Sequence, residues 1–443
     1  MSGLIVTIGL ILFAFLGTAL FLIIGSVPLF ASLLSDQPIS VIIGEMFERI
    51  TGVPTLLAIP LFTFAGYMLA ESKTPLRLVN FSNALFGWLR GGLAVVALVC
   101  CAVFTAFTGA SGVTIIAIGG LLYPILLREK YPEKFSLGLL TSSGSLGLLF
   151  PPSLPIIIYG VVALNSLSMT GMQTASPSEI PTIDNLFKAC LLPGVMLVLM
   201  LSVYSIYKGR KAKIPTIPFN FKNLLKATRE AIWELPLPII IIGGIYGGFF
   251  TPTKAAAVTA FYVLITEVFI YRDLSITKDV PRIMRESMLL VGSILVILGM
   301  AFGLTNYLID QEVPQKILDF MKNFITSKIL FLITLNIFLL IVGCMMDIFS
   351  ALVVVVPLII PVAVQFGVNP IHLGVIFLAN LEIGYSTPPV GLNLFISSFR
   401  FNKPILKLYQ ATVPFLAILL IALIIITYWP ELSLWLVNFS IAQ

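Results

Sequence analysis

The residues of this chain whose type and spacing are most suggestive of chemistry are two pairs of adjacent prolines. They are Pro151 and Pro152 in LGLLFPPSLPIIIYG, and Pro388 and Pro389 in IGYSTPPVGLNLFIS. Each pair interrupts an apolar stretch that otherwise reads as a helix. Proline has no amide hydrogen and clashes with the preceding turn, so two in succession free backbone carbonyls and end one half-helix before the next begins. In hydrocarbon such groups are tolerated only where they are buried in protein or line an aqueous cavity. Freed carbonyls and half-helix C-termini can hold a cation, and half-helix N-termini can attract an anion. A single Pro kink usually only shapes packing; two matched ones read as a binding site.

The two pairs are separated by 237 positions (388 − 151), and the same offset carries Pro124 onto Pro361, Gly147 onto Gly384, Gly66 onto Gly303 and Leu121 onto Leu358. Matches at proline and glycine carry the weight in so aliphatic a chain, and they indicate an internal duplication. Each copy runs from an apolar span into TAFTGASGVTIIAIGGLLYPILL (105–127) or GCMMDIFSALVVVVPLIIPVAV (343–364), then a polar turn, then the proline-broken helix. Between the small-residue or acidic entry and the proline exit of each stretch about 15 to 20 residues are available, which suits a re-entrant hairpin as well as one complete span. The hairpin is the preferred reading.

The positioning elements belong in a bilayer. Of 443 residues 58% are hydrophobic and 10% charged, more apolar surface than a soluble globule of this size can hide. The clearest spans are 4–34, 54–69, 91–107, 186–207, 235–250, 255–271, 288–308, 329–342 and 413–429, the first read as a retained span rather than a cleaved leader. The expected fold is an all-α polytopic membrane protein, an inverted repeat with two re-entrant hairpins, two broken helices and about eleven crossings. Its segments are an N-terminal span and interfacial helix (1–53), a first repeat (54–166), central spans (167–286), a second repeat (287–404) and a final span (405–443). Within the first of these, 40–50 is too short and too charged to span and suits an interfacial helix.

The formal charge of +6 is concentrated in loops. YKGRKAKIP (207–215), with Lys222, Lys226 and Arg229, marks a cytoplasmic segment, and the loop 165–185 has no Lys or Arg. The N-terminus is therefore expected inside and the C-terminus outside, with Lys73, Arg77 and Arg90, and Arg400, Lys403 and Lys407, read as loop charges. Arg90 and Arg128 read as snorkelling anchors. The basic loops serve topology rather than nucleic acid. Cys100, Cys101, Cys190 and Cys344 lie in apolar context without metal-like spacing, which argues against a disulfide framework or a transition-metal site. With a single histidine and no HExxH or GxSxG pattern, the chain is poor material for an intramembrane enzyme.

The stretches IPLFTFAGYMLAES, TGASGVTIIAIGGLLYP, FPPSLPIIIYG, GGFFTPTKAAAVTAFY, GCMMDIFSALVVVVPLIIPVA and NLEIGYSTPPVGLNLFISS, spread over 59–398, resemble the large membrane subunit of tripartite ATP-independent periplasmic (TRAP) transporters, of dicarboxylate or sialic acid type. The resemblance implies a sodium-driven elevator that imports an organic acid anion across the bacterial inner membrane. It also implies a small membrane subunit and a periplasmic substrate-binding protein as partners. By motif, a first sodium site would involve Gly109, Ala110, Ser111 and Gly112 with carbonyls near Gly147, Pro151 and Pro152. A second would involve Gly343 and Asp347 with Gly384, Thr387, Pro388 and Gly391. Ser142, Ser143, Ser145, Asn380 and Asn393 would add oxygens or bind the substrate carboxylate. At the offset of 237, Ala110 stands where the second copy has Asp347, so the first site would hold its ion without a formal charge.

Among the remaining polar residues, Asp347 starts a hairpin arm, where an acidic residue also caps a helix. Glu382, close to the Gly384 break, is an intramembrane carboxylate, a kind of residue that is functional by default; the alternative is that it faces a scaffold polar group or lines an aqueous vestibule. His372 is expected at the membrane interface rather than in a proton relay. The competing readings are a stand-alone sodium/dicarboxylate symporter of similar architecture and, less well supported, a channel.

Overall fold

The computed structural model describes residue 18 and residues 20–34, 39–169, 179–212, 214, 218–325 and 327–441. The start of the first expected span and the middle of the 165–185 loop lie outside the described residues. The chain is helical: α1 (Leu20–Leu34), α2 (Ile39–Thr51), α3 (Ala58–Glu71), α4 (Thr74–Phe86), α5 (Gly92–Thr108), α6 (Ser111–Arg128), α7 (Glu133–Ser143), α8 (Leu154–Met169), α9 (Ile183–Lys211) and α10 (Phe221–Glu230). There follow α11 (Pro236–Tyr246), α12 (Pro252–Ile270), α13 (Asp279–Asp310), α14 (Val313–Lys322), α15 (Lys328–Met345), α16 (Ile348–Gln365), α17 (Pro370–Gly384), α18 (Leu392–Phe401), α19 (Ile405–Tyr428) and α20 (Pro430–Ile441).

The duplication inferred from prolines and glycines is present in the helices. Shifted by 237, α6 coincides with α16 at both ends, and the start of α7 falls on the start of α17. The broken helices follow: α7 and α8 are joined through the Pro151–Pro152 break at a bend of 45°, and α17 and α18 flank Pro388–Pro389. Each half-helix beyond a break packs on the hairpin arm of the other copy, α8 on α16 and α18 on α6, while α7 packs on α19. The two copies are thus interlocked rather than side by side.

The hairpins differ in detail from the sequence expectation. The stretch 105–127 does not fold into a hairpin by itself: the chain turns near its start, at Gly109–Ala110, so α5 is one arm and α6, a single helix with a π-helical stretch at Ile115–Gly119, is the other. Pro124, Pro357 and Pro361 sit inside the helices without ending them. Among the described residues, eight helices are long and apolar enough to cross a bilayer, and the bent α7–α8 pair would make a ninth. The shortfall from about eleven has a physical origin: α5, α11 and α17 are apolar but shorter than the ~20 residues a straight crossing needs. One expected span, 235–250, is corrected outright. Its helix stops at Tyr246 because Gly248 adopts a left-handed backbone (φ +74), leaving 11 residues.

His372 is also corrected: it is buried, not interfacial, because α20 folds back over the start of α17. Its Nδ1 lies 3.2 Å from the Ser433 hydroxyl and its Nε2 lies 3.3 Å from the Thr427 carbonyl. The loop reading of Arg77 likewise fails. Its guanidinium is enclosed by Glu234, Glu267 (3.1 Å) and Asp273 (2.6 Å) and stacks 3.8 Å over the Tyr271 ring, tying α4 to the ends of α10 and α12. Burial is the main influence on Glu234 and raises its carboxyl above the usual range, outweighing the neighbouring Arg77 charge.

Candidate functional site: two hairpin tips against two helix breaks

At the second junction α15 ends at Met345 and the chain turns through extended backbone into α16. Asp347 is the capping residue: its Oδ1 accepts from the amides of Phe349 and Ser350, both at 3.0 Å, and its Oδ2 from the Ser350 hydroxyl. These bonds fix the carboxylate at the hairpin tip while leaving it exposed. Across from the tip, Gly384 lies directly against Gly343, so close that a Cβ on Gly384 would sit 2.5 Å from the Gly343 carbonyl carbon. The Gly391 amide (φ +55) donates to the Cys344 carbonyl at 3.0 Å, and the Tyr385 hydroxyl accepts from the Ile348 amide. The Thr387 hydroxyl is turned back to the Ile383 carbonyl at 2.8 Å. Gly343, Asp347, Gly384 and Gly391 are therefore brought to one junction, with Thr387 and Pro388 on its rim.

The first junction repeats the construction with different chemistry. Gly109 closes α5 in a left-handed conformation (φ +65), and Ala110 occupies the capping position of α6 with no side chain to serve it. Gly147 packs on the α5 backbone, where a Cβ would come within 2.2 Å of the Ala102 carbonyl oxygen and 2.4 Å of the Ala106 amide. Ala106 is the offset counterpart of Gly343, so both breaks rest on the same point of their hairpins. The Thr105 hydroxyl reaches the Gly144 carbonyl at 2.8 Å and the Thr114 hydroxyl at 2.6 Å, stapling the first arm to the second and to the break. Pro151 and Pro152 are buried, whereas Pro388 and Pro389 are exposed. At the tip, Ser111 is buried and Gly112 half-buried, facing Ile396 of α18.

Between the junctions the copies touch. The Ser145 hydroxyl donates to the Glu382 carbonyl at 3.3 Å, and these two residues are offset counterparts, 237 positions apart. The Asn393 amide donates to Ser145 Oγ and to the Thr141 carbonyl, each at 3.3 Å, and Thr141 Oγ1 donates to Ser397 Oγ at 2.9 Å. Ser142 is buried with its hydroxyl unpartnered, and the Ser143 hydroxyl turns to its own helix. Asn380 is not gathered with them: its amide donates to Asn336 Oδ1 at 2.8 Å, in a cluster with Thr427 on α19. The Glu382 carboxylate meets neither a scaffold polar group nor a vestibule. It is fully buried, and neither oxygen has a hydrogen-bond partner.

Tyr385, Thr105 and Thr114 were missed from the sequence. The two threonines carried a signal, since they flank the GASG turn symmetrically enough to meet across it. Arg77 carried none, because its carboxylates lie 157, 190 and 196 residues away. Among the described residues no group of three or more His, Cys, Asp and Glu is placed to hold a metal ion. What the junctions offer is peptide oxygen, hydroxyls and one exposed carboxylate, a donor set for hard cations.

Comparison with known proteins agrees with this architecture. The profile of the tripartite ATP-independent periplasmic transporter DctM component matches residues 4–432. The C4-dicarboxylate TRAP transporter large permease protein DctM of Pseudomonas aeruginosa is 37% identical over 385 residues, 87% of this chain and 86% of that one. Its counterpart from Rhodobacter capsulatus is 35% identical over 406 residues, 91% of each. Among solved structures, the YdaH transporter of Alcanivorax borkumensis shares the fold with a TM-score of 0.62 over 87% of both chains at 13% identity. These relatives are transporter permeases and not enzymes. With a matched profile over nearly its whole length and relatives above 30% identity, this chain belongs to the DctM family, the large permease subunits of tripartite ATP-independent periplasmic transporters.

Proposed function

We propose that this permease imports an organic acid anion across the bacterial inner membrane using a sodium gradient, with its N-terminus cytoplasmic and its C-terminus periplasmic. A periplasmic binding protein delivers the anion, and a small membrane subunit completes the membrane part. The names of the two DctM relatives favour a C4-dicarboxylate as cargo. The observation that carries the reading is the pair of junctions in which a hairpin tip meets a helix break at equivalent positions of the two copies. Such paired discontinuities are how secondary transporters hold a coupling ion without a dedicated side-chain cage.

On this reading Asp347 supplies the negative charge at the second junction, and peptide oxygens around Gly343, Gly384 and Gly391 supply the rest. The first junction relies on oxygens alone. The interlocked hairpins and broken helices form one packed body, which suits motion as a unit against α9, α12 and α13 in an elevator. The test is uptake of radiolabelled dicarboxylate into proteoliposomes under a sodium gradient, with and without the binding protein and small subunit. Uptake that needs sodium and both partners supports the proposal. Uptake by the permease alone, or uptake indifferent to sodium, refutes it.

A further inference from the structure

Helix α10 has a surface that the transport reading does not use. At 100° per residue its side chains fall into four successive faces. Ala227 is buried where α10 packs on α4, and Ala231 continues that face. Next comes an exposed apolar face, Phe221 (67% exposed) and Leu225 (60%), and Ile232 and Trp233 are exposed in the turn that follows the helix. Beyond it lie Lys222, Arg229 and Lys226, all exposed. Asn223 and Glu230 complete the circuit, with Glu230 4.0 Å from Lys226.

The helix is rigidly mounted. Asn220 caps its start, accepting from the Lys222 amide at 2.9 Å. At its end the Tyr271 hydroxyl donates to the Glu230 carbonyl and the Tyr262 hydroxyl to the Trp233 carbonyl, both at 2.7 Å. The Arg77 cluster holds Tyr271 from behind. The apolar face is thus fixed outward.

We infer that α10 lies in the headgroup plane of the bilayer, with Phe221, Leu225, Ile232 and Trp233 immersed and Lys222, Lys226 and Arg229 forming a strip that binds anionic phospholipid headgroups. The order of faces is the argument: apolar, then basic, then acidic and amide, as depth decreases from acyl chain to phosphate to water. A soluble protein partner would not require that gradation. In sequence the basic strip follows the cations that end α9, half-buried Lys208 and exposed Arg210 and Lys211.

The test uses the full chain with Trp88, Trp429 and Trp435 changed to Phe, leaving Trp233 as the only tryptophan. It is reconstituted in phosphatidylethanolamine vesicles containing equal fractions of phosphatidylglycerol and phosphatidylcholine, with one or the other brominated on its acyl chains. Trp233 should be quenched more strongly by the brominated anionic lipid, with local enrichment of roughly 5-fold per engaged cation. Lys222→Gln/Lys226→Gln/Arg229→Gln should reduce the two lipids to parity while quenching persists. Equal quenching by both lipids before substitution overturns headgroup binding. Absence of quenching by either places α10 off the bilayer and overturns the whole inference. Neither readout depends on transport or sodium.

Discussion

Gly384→Ala is the sharpest perturbation of the second junction. The new Cβ would lie 2.5 Å from the Gly343 carbonyl carbon, 2.7 Å from its Cα and 2.9 Å from the Cys344 nitrogen. All three are backbone atoms, so no rotamer change relieves the clash. Restoring ordinary contact at 3.4 Å requires the tip and the break to part by about 0.9 Å. Overpacking of this kind costs about 1–3 kcal/mol, and the better helix propensity of alanine returns at most ~1 kcal/mol. The fold should therefore survive. A coordination shell should not, because metal–oxygen distances tolerate only about 0.2 Å. In sodium titrations of uptake, Gly384→Ala should raise the half-saturating concentration roughly tenfold or more, the equivalent of about 1.4 kcal/mol. Gly147→Ala, facing the Ala102 carbonyl at 2.2 Å, should do the same at the first junction. Gly243→Ala and Gly292→Ala, with nothing within 4 Å, serve as controls and should leave the titration unchanged. A folded Gly384→Ala protein with a wild-type sodium titration would refute the reasoning.

Two further outcomes follow from named side chains. Asp347→Asn keeps a competent helix cap, so the melting temperature should move little, while loss of the charge should weaken sodium dependence of uptake severalfold. An unchanged sodium titration removes Asp347 from the site. Glu234 has a carboxyl raised by burial, and a group raised on folding contributes stability that is present below its unfolded pKa and is lost as pH rises through the folded value. The melting temperature of the wild type relative to Glu234→Gln should therefore fall as pH rises above the ordinary carboxylate range; a flat or rising difference contradicts the burial argument.

The repeat was legible because proline and glycine tolerate few contexts. Pro151 with Pro388 and Gly147 with Gly384 fixed a register that the α6 and α16 boundaries reproduce. Asp347 at a hairpin start was legible as a cap because capping is local, settled within three residues of its own chain. What could not be read was set by distant chain. Arg77 looks like any loop cation until Glu234, Glu267 and Asp273 close around it, and His372 looks interfacial until α20 covers it. The 235–250 stretch failed for a different reason: hydropathy continues through Gly247 and Gly248 although the helix does not.

The pseudo-symmetry is most informative where it breaks. Ser145 and Glu382 are counterparts that touch, so the axis relating the copies passes between them, and the Asn393 amide binds the same spot from the second broken helix. The two breaks are thereby joined through side chains at the centre of the molecule. Yet one junction is neutral with its prolines buried, and the other carries Asp347 with its prolines exposed. On the sodium reading, the exposed and charged junction is the one an ion reaches from solvent in this conformation. A displacement of Gly384 on ion binding then has a short route to the sealed junction, through the Glu382 carbonyl and Asn393 to Ser145 and on to Gly147, two residues along the same break. Unequal sites on equal frames can thus fill in order, which identical ones could not enforce.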